Sequence, residues 1–354
     1  MAYTPNNNPY IAGDPYSYDL KWLIRKIKEH DSVINNISST IEDAVIAALG
    51  KHEPTYYESA AELIASGQKA ATIAYIEGYY DKGDGGANLY YITDDYNNII
   101  GLDFYLTMSE PNKWAIPVIL TPYVTPEMFG AKGDGATDDT AALNIAVKYK
   151  AVLIGAKTYM IDASASVYLE NASITGVDKI FSKIKAIPND LTSYSIIKVL
   201  SNSSINNLTV EGERGDHIGT TGEWGFCLRI EDASNIYIDD VILKDAWGDG
   251  IYISAAENVN IGHAYITNNR RNGISVISVD GFNADYLYIT DTRGTNPQKA
   301  IDFEPNDHDN EKIINVNIGT LVTSGNTYGS LNFYNMGEAD ITIDNVISYG
   351  EPSP

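Results

Sequence analysis

Asp302 and Glu304 stand two residues apart in the short segment IDFEP, where alternation points both the same way and sends Ile301 and Phe303 the other. Two carboxyl groups are what glycoside hydrolysis requires. One stays protonated to help the leaving oxygen and one is ionised, about 5 Å apart for retention and about 6.5–9.5 Å for inversion. Strand residues i and i+2 lie roughly 7 Å apart at ~3.3 Å per residue. The pair therefore suits an inverting hydrolase, and crowding of two like charges would raise one pKa. Asp249 is the alternative partner, being one neighbour in a stack of strands spaced about 4.8 Å. Arg270 and Arg271 would bind an acidic sugar or neutralise these carboxylates, and Arg229 stands further along the same surface. Trp224 and Trp247 would stack on sugar rings or cap an apolar core. The competing explanation for every one of these groups is ordinary solvated surface.

Such residues work together only if something stacks them, and the second half of the chain carries a repeat that does. Ile205, Ile238, Ile261, Ala284, Ile318 and Ile343 recur at intervals of 33, 23, 23, 34 and 25 residues. Each is followed three positions later by Leu208, Val241, Ala264, Leu287, Leu321 or Val346. A second apolar alternation opens at Ile251, Ile274 and Leu331. Repeats of this length, made of short strand-like runs with Gly/Asn/Asp turns and no intervening helix, imply a solenoid, and a parallel β-helix fits. Phe226, Leu228, Ile251, Ile253, Ile274, Val276, Ile301, Phe303, Leu331 and Phe333 are expected to fill the bore. Two outward files then read Cys227, Tyr252, Ser275, Asp302, Asn332 and Arg229, Ser254, Ile277, Glu304, Tyr334. In the turn before them Asp249, Asn272 and Lys299 stack. The long intervals place their excess in GERGDHIGTTGEWG, 212–225, in TRGTNPQK, 292–299, and in PNDHDNEK, 305–312, loops that lie beside this face.

The chain has 354 residues, 24 basic against 47 acidic, and a net charge of −23. That surface repels nucleic acid and anionic membrane, so neutral or cation-bridged partners are expected. No run approaches the ~18 apolar residues of a membrane span, and the first residues lack the basic and apolar segments of a secretory signal. Cys227 is the one cysteine, which excludes an internal disulfide and a cysteine zinc cluster; its expected outward position makes it a free thiol. His217, His263 and His308 show no ligand spacing, and the oxygen-rich PNDHDNE lacks the ordered EF-hand pattern, so neither metal nor cofactor is assigned.

Upstream, Leu20, Ile27, Ile34, Ile41 and Ala48 keep a heptad, with Leu23, His30, Ile37 and Ala44 at the second core position. Isoleucine at the first position permits two strands, and isoleucine at both, as at Ile34 and Ile37, shifts preference towards three or four; a single amphipathic helix is the alternative. Four segments follow: an arm and coiled-coil helix over 1–52, a small β-rich domain over 53–122, a Gly/Asp motif with a capping helix over 123–150, and a β-helix over 151–354. The middle domain has a Gly-rich hairpin turn at 82–88.

The motif FGAKGDGATDDTAAL, 129–143, resembles that of the pectate-lyase-like right-handed β-helix superfamily, and GYYDKGDGGANLYYI, 78–92, resembles the small domain before it in bacteriophage tailspikes. NGISV and TRGTNPQKAIDFEPND are similar to a coil of phage and bacterial members, and the first residues are similar to structural proteins from phages of Gram-positive hosts. The resemblance implies a mainly β protein, a right-handed β-helix in a homotrimer, held to phage tail or baseplate proteins by its N-terminus and acting from the virion on a host surface glycan. It implies binding of polysaccharide or teichoic acid, with depolymerisation, by a hydrolase or a lyase, as an open addition. A non-catalytic virion fibre or adaptor is the alternative, and a bacterial extracellular lyase or epimerase a third. The motif carries no catalytic residue. Tailspike β-helices usually run further and end in a trimerising cap, whereas this sequence stops at Pro354.

Overall fold

In a computed structural model, residues 53–350 are described; the heptads of 20–48 lie outside them. The chain divides into two compact units between Pro122 and Tyr123. In the first, strands Thr55–Tyr57, Thr72–Ile76, Asn88–Thr93, Trp114–Val118 and Leu106–Thr107 form one sheet in that order. The central pairs are antiparallel, with Ala74 facing Tyr90 and Tyr91 facing Ile116. Helix Ala60–Ala65 is capped by Ser59, whose hydroxyl accepts the Glu62 N–H, and it buries Leu63 against Ile76, Tyr90 and Ile92. The loop before Asn88 turns on Asp84, whose carboxylate accepts N–H groups from Tyr79, Tyr80, Asp81 and Gly86.

The second unit is a right-handed parallel β-helix. A 7-stranded parallel sheet forms one wall, and a 13-stranded sheet wraps the rest of the circumference. The anticipated repeats are its registers: Ile205 lies beside Ile238, Ile238 beside Ile261, Ile261 beside Ala284, Ala284 beside Ile318, and Ile318 beside Ile343. Strands Ala256–Thr267, Val279–Thr290, Ile313–Ser324 and Ala339–Tyr349 each run through two positions that earlier coils fill with separate short strands. Corners need left-handed backbone, which asparagine tolerates and whose amides can then pair between coils. Asn171, Asn202, Asn235 and Asn258 all have positive φ and are linked by successive hydrogen bonds between their side-chain amides.

Within the 129–150 motif, Asp139 precedes helix Thr140–Ala146 without capping it through its side chain. Its carboxylate instead accepts the N–H groups of Lys132 and Gly133, tying the Gly/Asp loop, while Asp138 accepts from Thr140 N–H. The helix turns Leu143 and Ala146 into the apolar interior.

The 7-stranded wall departs from expectation at its third strand. Leu228, not Phe226, stands beside Ile251, and Arg229 stands beside Tyr252. A two-residue slip leaves the faces unchanged, yet it moves Arg229 out of the Glu304 file and into the Asp302 file. At the start of that strand the faces also exchange. Phe226 stacks on Tyr252 at 4.8 Å beneath the Arg229 guanidinium, so it packs with outward residues. Cys227 is buried, its Sγ against the carbonyls of Val210 and Lys244, and burial pushes its thiol up, so it is no exposed free thiol. The rest of the anticipated bore through Phe303 is buried; Phe333 stacks on Phe303 at 5.2 Å with half its surface, 51%, accessible.

Candidate functional site

On the outer side of the 7-stranded wall, strands Ile251–Ser254, Ile274–Val276, Ile301–Phe303 and Leu331–Phe333 bring Tyr252, Ser275, Asp302 and Asn332 into one file. Asp249 and Asn272 lie in the preceding turn, where each side-chain oxygen accepts an N–H from the next coil, Asn272 onto Asp249 and Lys299 onto Asn272. The stacking of Asp249, Asn272 and Lys299 is as the spacing implied.

Arg271 is the hub of this region. Its Nη1 donates to Asp249 Oδ2 at 3.0 Å and to Ser275 Oγ at 3.1 Å, and its Nη2 stands 3.6 Å from Glu304. Its Nε has no hydrogen-bond acceptor in range, the Glu223 carboxylate being 3.9 Å away. Asp249 is fully enclosed, and three donors reach it: Arg271, the Ser275 hydroxyl at 2.9 Å and the Asn272 N–H at 2.9 Å. Burial nonetheless pushes its carboxyl up to about 6, the Arg271 charge and these hydrogen bonds opposing only part of that cost.

Asp302 points outward from the strand as expected but is covered, only 1% exposed. The amide groups of Asn272 and Asn332 donate to its two oxygens at 3.1 and 2.8 Å. Glu304 lies within hydrogen-bonding reach of it, with a side chain still 31% exposed. Burial first, then the charge and hydrogen bond of Asp302, hold the Glu304 carboxyl above its ordinary range, and Arg271 opposes them. Hydrogen-bonding reach replaces the ~7 Å separation taken from the strand rise, with Glu304 drawn towards the Arg271 guanidinium and Asp302 held by the Asn272 and Asn332 amides. No water fits between them as an inverting pair needs.

Other expected members lie apart. Arg270 caps one face of Trp247 with its guanidinium carbon 3.9 Å from the ring centroid, and His217 covers the other at 3.8 Å. Both faces of Trp247 are therefore occupied, so it neither stacks on a sugar nor caps the bore. The sandwich fastens the 212–225 loop, helped by Trp247 Nε1 donating to Thr221 and Arg270 donating to Gly222. Arg229 pairs with Glu231 at 2.7 Å, in the Asp302 file but coils away from it. Trp224 is 52% exposed and adjoins Glu223. Glu223 is the member that sequence reasoning missed. Its only signal was its place beside Trp224 in an insertion already marked as elaborated. The oxygen-rich 305–311 loop satisfies itself, Glu311 accepting from Asn306 and Asp307, and no metal-ligand cluster occurs among the described residues.

A coiled wall presenting a half-exposed acid, a buried carboxylate beside it and one arginine defines a right-handed parallel β-helix protein with a polar outer face. Solved structures of the same fold include the N-terminal fragment of bacteriophage Phi29 gene product 12, 21% identical with a TM-score of 0.52 over 64% of this chain and 42% of that one. Tailspike gp49 of Acinetobacter baumannii bacteriophage Fri1, a capsular polysaccharide depolymerase, is 13% identical with a TM-score of 0.59 over 83% of this chain and 62% of that one. At these identities the likeness is one of fold. The uncharacterised protein YclG of Bacillus subtilis strain 168 is 35% identical over an alignment of 141 residues, covering 33% of this chain and 24% of that protein. No family model matches. Among the described residues no helix is long and apolar enough to cross a membrane.

Proposed function

We propose that this chain is a phage tailspike that binds host surface polysaccharide or teichoic acid and hydrolyses the bound glycan at Glu304. The observation that carries the proposal is the approach of partly exposed Glu304 to covered Asp302 beside Arg271, where burial and the Asp302 charge hold the Glu304 carboxyl above its ordinary range. Burial and a neighbouring negative charge disfavour the ionised form, which suits Glu304 to carry a proton. Asp302 is clamped by two amides and faces no solvent, which leaves Glu304 as the member able to deliver it. In hydrolysis Glu304 gives its proton to the glycosidic oxygen as the C1–O bond breaks. Glu223, which faces a neighbouring nitrogen of the same guanidinium, takes a proton from the water that attacks C1. Arg271, anchored on buried Asp249, holds both carboxylates in place, and Trp224 offers an exposed ring for a sugar face.

Residues 1–52 serve in this reading as the arm that joins three chains and attaches them to the phage tail, which places the protein in the virion, acting at the host surface. The test is release of reducing ends from host envelope glycan. Glu304→Gln and Glu223→Gln lose it while adsorption persists; release at the wild-type rate by either variant refutes the assignment. A second reading, a non-catalytic virion fibre, is favoured by the complete internal bonding of Asp249 and Asp302. Adsorption without any released product decides for it.

A further inference from the structure

Below the carboxylate cluster the Asp302 file continues unbroken. Tyr168 lies beside Lys198, Lys198 beside Arg229, Arg229 beside Tyr252, Tyr252 beside Ser275 and Ser275 beside Asp302. Successive members rise by about 4.8 Å, close to the length of one pyranose residue, so each coil whose member reaches the surface, at Tyr252, Arg229, Lys198 and Tyr168, offers one side chain to one sugar of a chain laid along the axis. The chemistry of the file is graded. Asp302 and Ser275 are buried, Tyr252 and Arg229 are partly exposed, and Tyr168 at the far end stands open.

Lys198 is the unusual member. It forms no ion pair among the described residues; its Nζ reaches the Tyr168 hydroxyl at 3.0 Å and lies 4.8 Å from that ring's centroid. Its neighbour Arg229 is balanced by Glu231. An unbalanced cation in a chain of net charge −23 is a local reversal of sign. The general field excludes anions, so an acidic ligand gains only where such a reversal sits, which gives selectivity by position. Beside Tyr168 a cleft of about 440 Å³ opens, lined also by Asn144, Lys148, Glu170 and Leu200. That volume is within the range of small-ligand sites.

We propose that the file from Tyr252 to Tyr168 is an extended track for a glycan chain running on from the Glu304 site, with an acidic sugar or phosphate substituent seated on Lys198 and the chain end in the Tyr168 cleft. Lys198 lies four coils from Asp302, about 19 Å along the axis. The inference rests on the glycan reading above and departs from the neutral or cation-bridged partners that total charge suggests.

The experiment uses the full chain as Glu304→Gln, so that no probe is cleaved, and measures binding to purified acidic and neutral bacterial capsular polysaccharides and to wall teichoic acid. Lys198→Gln and Tyr168→Ala are made in the same background, with unchanged melting as the folding control. The expected result is binding of an acidic probe that weakens about 10-fold in Lys198→Gln, the worth of one hydrogen bond to a charged group. Affinity also grows with oligosaccharide length until the file is spanned. Preference for neutral glycans, or acidic-glycan binding that Lys198→Gln and Tyr168→Ala leave intact while Arg271→Ala abolishes it, overturns the track and leaves the glycan reading standing. Binding of no glycan at all overturns both.

Discussion

Replacing Asp249 by Asn removes a titration that the fold makes unfavourable. The buried carboxyl titrates near 6 against an ordinary 3.8, because enclosure costs the charged form more than Arg271, Ser275 and Asn272 return. The native state therefore holds a proton that the unfolded chain has already released between these values. Stability from this group is fully present below about pH 3.8 and is lost as pH rises through about 6. The shift of roughly two units, at about 1.4 kcal/mol each, is worth about 3 kcal/mol. Asn cannot titrate, so the difference in unfolding free energy between wild type and Asp249→Asn should fall by about 3 kcal/mol in the wild type's disfavour between pH 4 and pH 7.5. Urea unfolding at several pH values, followed by tryptophan fluorescence, reads it. A difference that stays flat with pH, or that grows in the wild type's favour, would show that the Arg271 pair wins over burial and would refute the reasoning.

Glu304→Gln should lower product release by about 10²–10⁴-fold, the usual contribution of a positioned proton donor, with glycan binding within a few-fold of wild type. Wild-type activity should decline as pH rises through the Glu304 titration, whose midpoint lies above an ordinary glutamate's because of burial and Asp302; Asp302→Asn should move that limb to lower pH. Phe303→Ala removes a fully buried ring stacked between coils and should cost about 3–5 kcal/mol in urea unfolding. Trp247→Ala removes the ring held between His217 and Arg270, and limited proteolysis should then cut within 212–225 faster while overall melting changes little. Cys227 should resist a thiol reagent in the native protein and react on unfolding.

The sequence by itself determined the solenoid and its coil registers. Apolar side chains that repeat with period two and return at fixed intervals have no other way to bury a continuous core, so Ile205 to Ile343 line up as counted. It also placed Asp249, Asp302, Glu304 and Arg271 on one side of the wall, since alternation within each short strand and the turn before it fixes the face even where insertions lengthen a coil. Only the tertiary structure decided the register of Arg229. Leu228 and Phe226 satisfy alternation equally, a two-residue slip exposes nothing, and the long 212–225 insertion removes the count that would have chosen between them. Only it decided that Trp247 is fastened on both faces, that Glu223 swings from a loop towards Arg271, and that Asp302 and Glu304 come within hydrogen-bonding reach instead of standing a strand rise apart. Backbone periodicity fixes where a side chain starts, whereas charge and hydrogen bonding across coils fix where it ends.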